Sequence, residues 1–110
     1  MNQRLKRKIE KRRRQKICEA LDLCLQINGL QKSKRKLTGD HPTAFCDFGG
    51  HTAWISAKIH VKGWETGENP DEELRAYITR PNELDKMIRE LKELKKDLRS
   101  EEHTSELQSP

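Results

Sequence analysis

His51-Thr52-Ala53-Trp54-Ile55-Ser56-Ala57-Lys58-Ile59-His60-Val61-Lys62 is the stretch that decides the fold. Ile55, Ala57, Ile59 and Val61 alternate with Trp54, Ser56, Lys58, His60 and Lys62. A period of two sends one set inward and the other outward, which predicts a strand over 51–62 with one apolar face to cover. Upstream, Thr43–Phe48 reads as a second strand, joined through a Gly49-Gly50 turn. Downstream, Gly63–Asp71 is an acidic, turn-rich connection. Glu73–Thr79 then repeats the alternation, with Leu74, Ala76 and Ile78 on one side and Arg75, Tyr77 and Thr79 on the other.

Helical periods flank these strands. In Ile17–Ile27, Glu19, Asp22 and Gln26 make one polar stripe and almost every other residue is apolar. A helix of that kind is expected to be buried around most of its circumference. Asn28-Gly29 supplies a stop, with glycine suited to the left-handed cap. Pro81 opens a last helix where its missing N–H costs least. Its apolar seam is Leu84, Met87, Ile88, Leu91, Leu94 and Leu98. The predicted class is α+β, in the order α-β-β-β-α, with an antiparallel three-stranded sheet and helices packed on one face.

Three segments follow from this reading. Residues 1–16 form a basic N-terminal helical extension, expected to fray or to order against a partner because Arg12, Arg13, Arg14 and Lys16 repel one another. Residues 17–98 form a single α+β domain. Residues 99–110 are expected to be non-native: translating a common sequencing-library adapter yields the eleven residues Arg99 to Ser109, so the natural chain is expected to be cut near Leu98.

Charge is distributed unevenly along the 110 residues. The first 36 carry 13 Lys/Arg against Glu10, Glu19 and Asp22, a net of +10, while the remainder carries 10 Lys/Arg against 15 Asp/Glu, a net of −5. Such a block usually meets a polyanion. The candidate nucleic-acid-binding residues are Arg4, Lys6, Arg7, Lys8, Lys11, Arg12, Arg13, Arg14 and Lys16, with Lys32, Lys34, Arg35 and Lys36 added if the loop Leu30–Pro42 folds back along the helix. Their spread suits phosphate contacts without base reading. The bland alternative is a solubilising charged end. Trp54, Lys58, His60 and Lys62, with Arg75 and Tyr77, could stack single-stranded nucleic acid, or could simply form a solvated or covered sheet face.

Other chemistry has little support. Three cysteines, Cys18, Cys24 and Cys46, imply no disulfide framework and suggest a cytoplasmic chain with reduced thiols. No transmembrane candidate is present, since the apolar stretch Ile17–Ile27 is short and carries Glu19 and Asp22. No membrane partner is expected. Cys18 and Cys24 point apart on a helix, and nothing in the spacing requires His41, Cys46 and His51 to meet, so no metal and no cofactor is expected. A Cys46–His51 nucleophile pair is not specific, the Glu65–Glu73 acids lack a calcium-loop pattern, and no catalytic residue is assigned. The rival to nucleic-acid binding is a protein-interaction module that oligomerises through Leu84, Leu91 and Leu98, whose seven-residue spacing spans two heptads.

The order α-β-β-β-α, with Gly49-Gly50-His51 followed by Trp54–Gly63, resembles double-stranded-RNA-binding domains. The resemblance covers roughly residues 17–98 and implies that the turn enters a minor groove with His51 as the contact. The turn lacks the family's proline, and Pro81-Asn82-Glu83-Leu84-Asp85 replaces its phosphate-gripping lysine cluster with acids. In size and lysine-rich start the chain is also similar to small proteins of bacteriophages and mobile elements.

Overall fold

The computed structural model describes the backbone of residues 2–108 and the side chains of residues 2–98. Helix α1 (Gln3–Asn28) leads through a single helical turn, α2 (Arg35–Thr38), into strands β1 (Thr43–Gly49), β2 (Trp54–His60) and β3 (Glu72–Tyr77), and helix α3 (Pro81–Gln108) follows. The sheet is an antiparallel meander in the order β1-β2-β3. The α+β class and the α-β-β-β-α order are therefore as the sequence predicts, with α2 as an addition inside the basic loop.

Parity along β2 sets the layers. Ile55, Ala57 and Ile59 are fully buried against the helices, and Ala76 joins them from β3. The α1 stripe Ala20, Leu23, Cys24 and Ile27 and the α3 seam Leu84, Met87, Ile88, Leu91 and Leu98 complete one core. The α3 leucines thus face this chain's own sheet and α1. Leu84 and Leu91 are 0% exposed and Leu98 is 9% exposed, so all three belong to this chain's own core.

One expectation about α1, its extent of burial, needs correction. The helix runs unbroken from Gln3, with Asn2 Oδ1 accepting a hydrogen bond from Leu5 N at 2.8 Å. That cap satisfies one of the free first-turn donors, so the boundary between residues 16 and 17 falls inside a helix. Burial is narrower than expected: Leu21 and Leu25 are 45% and 40% exposed, and Cys18 is exposed. One three-stranded sheet and one neighbouring helix cover only one side of α1.

The far end of the sheet is held by polar contacts between distant segments. Asn28 Oδ1 accepts from Ala44 N at 3.1 Å, joining the end of α1 to β1. The Ser33 hydroxyl donates to Pro42 O at 3.0 Å, and the Thr43 hydroxyl donates to Ser33 O while accepting from Trp64 N, both at 3.0 Å. Trp64 O in turn accepts from Arg35 N at 2.9 Å. Gly63 packs at the centre of this junction with φ +87°, and a Cβ there would sit 2.6 Å from Gly39 O. Because both the backbone conformation and the space forbid a side chain, Gly63→Ala is expected to cost about 2 kcal/mol. Urea denaturation measures it, and an unchanged midpoint would contradict this packing.

The outward sheet face is not simply solvated. His60 is 4% exposed although its parity points it outward. Phe45 meets it edge-on at 5.6 Å and meets Trp64 at 6.4 Å, so the connection after β2 folds over this end of the face.

Candidate nucleic-acid interface

Helix α1 places the basic residues. At a rise of 1.5 Å per residue its 26 residues span about 39 Å. Ion pairs set its position beside α3: Lys16 Nζ lies 2.6 Å from Asp85, and Lys92 Nζ lies 2.9 Å from Glu19. Residue numbers ascend together along both helices, so they run parallel. Asp85 is already in the second turn of α3, which places the first turns of α1 beyond the start of α3.

The basic half has two sides. Ile9, Arg13, Lys16 and Ile17 are half-buried and continue the core stripe toward the N-terminus. Arg4, Arg7, Lys8, Lys11 and Arg14 recur at three- and four-residue spacing, which puts them together on the opposite face, and all five are exposed. Lys6 and Arg12 are exposed beside them. Among the described residues, the ion pairs include Lys16 from this block but none of Arg4, Lys6, Arg7, Lys8, Lys11, Arg12, Arg13 or Arg14. Glu10 is the one carboxylate between residues 3 and 16, so repulsion among these cations is largely uncompensated and the stripe attracts anions.

The loop cations have a different place. Lys32, Lys34 and Lys36 are exposed, but they follow the C-terminal end of α1, and Lys11 and Asn28 are about 25 Å apart along that helix. The loop packs on the sheet end instead of folding back along α1. Arg35 is anchored there. Its guanidinium donates to Glu65 at 2.6 Å, to Glu68 at 2.8 and 2.5 Å, and to the carbonyls of Lys62 and Gly63, both at 3.3 Å. It clamps the 61–71 connection to α2.

The hydrogen bond from Arg35 holds the Glu68 carboxyl below its ordinary range. A carboxylate with a depressed folded value contributes stability above its ordinary value and loses it as pH falls through the folded one. Acidification below about pH 4 is therefore expected to release this clamp, read as movement of the Trp64 indole resonance in NMR spectra. Arg35→Met should remove the transition.

Sheet-face aromatics carry their own partners. The Arg75 guanidinium lies 4.6 Å above the Trp54 ring and also binds Glu73 at 2.6 Å, while Arg80 lies 4.7 Å above Tyr77. A base stacking on Trp54 or Tyr77 would displace these cations. The exposed turn residue His51 lies toward the same end of the molecule as the basic half of α1: β1 runs antiparallel to α1 from the Asn28–Ala44 contact, which brings the hairpin turn alongside the middle of α1.

The histidines and cysteines do not converge. The His41 ring hydrogen-bonds with Asn28 O at 2.9 Å, Cys46 lies mid-strand, and His51 sits past the other end of β1. Among the described residues no group of three or more His, Cys, Asp or Glu side chains is arranged to hold a metal ion, and no helix is long and apolar enough to cross a membrane. The side chains of residues 99–110, where the adapter-like tail was read, lie outside the described residues. No family model, curated protein or solved structure matches this chain.

Proposed function

We propose that this is a non-enzymatic accessory protein of the cytoplasm that binds nucleic acid, largely without regard to sequence, through the basic half of α1. The supporting observation is the stripe Arg4, Arg7, Lys8, Lys11 and Arg14, exposed on one helix face with no carboxylate partner among the described residues. An α-helix of cations meets phosphates as a row of point charges and forks, and such contacts carry no base information. Lys16 and Arg35 fall outside the binding set because Asp85, Glu65 and Glu68 already engage them.

Fluorescence anisotropy of the full chain with a labelled duplex, titrated with salt, tests the reading. Engagement of about five phosphates gives a slope of log K against log salt near −4 to −5. A flat dependence would remove the proposal. Substituting Lys32, Lys34 and Lys36 together should change that slope little, since they lie at the other end of α1.

A further inference from the structure

The first two turns of α1 stand clear of the body. Each residue from Asn2 to Lys8 is exposed, Leu5 at 47% included, and Ile9 is the first half-buried position. Ile9, Arg13 and Ile17 mark the body side of the helix, centred about 180° around the axis from Arg4.

The exposed cations of this half divide into three rows. Arg4 and Lys11 form a middle row that points directly away from the body. Arg7 and Arg14 lie about 60–80° to one side of Arg4, and Lys8 and Arg12 lie about 40–80° to the other. All six are exposed. The segment's carboxylate, Glu10, stands outside this arc, about 120° from Arg4.

Resting on the nucleic-acid reading above, we infer that the bound polymer is double-stranded DNA and that residues 3–14 of α1 lie in its major groove. A helix is about 10–12 Å across with its side chains, and the B-form major groove is about 12 Å wide. Residues 3–14 span about 18 Å, the rise of about five base pairs. Inside the groove the two flanking rows meet phosphates of both walls at once, and the body stays behind the arc, away from the DNA. The major groove of an A-form RNA duplex is too deep and narrow to admit side chains. There the helix stays outside, and one flank at a time reaches phosphates. A single strand offers no second wall.

Fluorescence anisotropy of the full chain with three labelled probes of one sequence, a DNA duplex, an RNA duplex and the single DNA strand, each titrated with salt, tests this. The DNA duplex is expected to bind at least about 10-fold tighter than the other two near 0.1 M salt, with about twice their slope of log K against log salt. Substituting Gln for both residues of one flank, either Arg7 and Arg14 or Lys8 and Arg12, should lower the DNA slope by about 1.8, two contacts at about 0.9 each. Equal affinity for the DNA and RNA duplexes, with steep slopes for both, would overturn groove entry and leave phosphate binding standing. A DNA slope that responds to only one flank would overturn it in the same way. Binding to all three probes that ignores salt would remove the nucleic-acid reading itself.

Discussion

Leu91→Ala is expected to lower the unfolding free energy by about 3 kcal/mol, within the range for a large-to-small change in a closed core. Leu91 is 0% exposed and lies between the sheet and α1 in the same cluster as Ile55, Ile59 and Leu84. For a domain this small the loss corresponds to roughly 15 °C in thermal midpoint, a large share of a total stability of about 5–10 kcal/mol. Leu30→Ala is the matched control, since Leu30 is 85% exposed; its effect should stay within about 0.5 kcal/mol. The pair also separates two uses of the α3 seam. A seam buried inside the monomer gives an unfolding midpoint independent of protein concentration. A midpoint that rises with concentration, and a Leu91→Ala chain that changes from dimer to monomer, would return the leucines to an intermolecular role.

Replacing Arg4, Arg7, Lys8, Lys11 and Arg14 together with Gln should weaken nucleic-acid binding at least about 100-fold near 0.1 M salt and nearly abolish the salt slope. Each neutralised phosphate contact contributes about 0.9 to that slope, so single substitutions should lower it in steps and weaken different sequences equally. Stability should change by less than about 1 kcal/mol, because all five side chains are exposed and lack carboxylate partners among the described residues. Removing their mutual repulsion acts in the stabilising direction. Unchanged affinity in a folded quintuple variant would mean that the charge split along the chain serves only solubility.

The contrast between these two experiments follows what was legible in the sequence. The alternation in Trp54–Val61 and the seam Leu84–Leu98 are local periods, and each maps directly onto a buried face. Leu21 and Leu25 were not legible in the same way. A helical period shows which residues share a face, but the number of layers stacked around the helix decides which faces are covered. The burial of His60 has a related cause: its parity is outward, yet Phe45 and the Trp64 connection close over it. Short helix α2 and the Ser33–Thr43–Trp64 hydrogen bonds have no periodic signature, because they arise where three connections meet.

The candidate site divides along the same line. The density of Lys and Arg in residues 4–16 was readable by composition, while the partners that remove Lys16 and Arg35 from the set lie far away in the sequence, at Asp85, Glu65 and Glu68. Tertiary ion pairs of this kind leave no mark on local charge patterning.

An NMR titration of the isotope-labelled full chain with an unlabelled duplex tests the central claim most directly. Shifts concentrated at backbone amides of residues 4–14, reversed by added salt, are the predicted result. Shifts confined to the sheet face around Trp54 and Arg75, or none at a concentration where the basic stripe should be saturated, would contradict the assignment of those exposed cations to a nucleic-acid backbone.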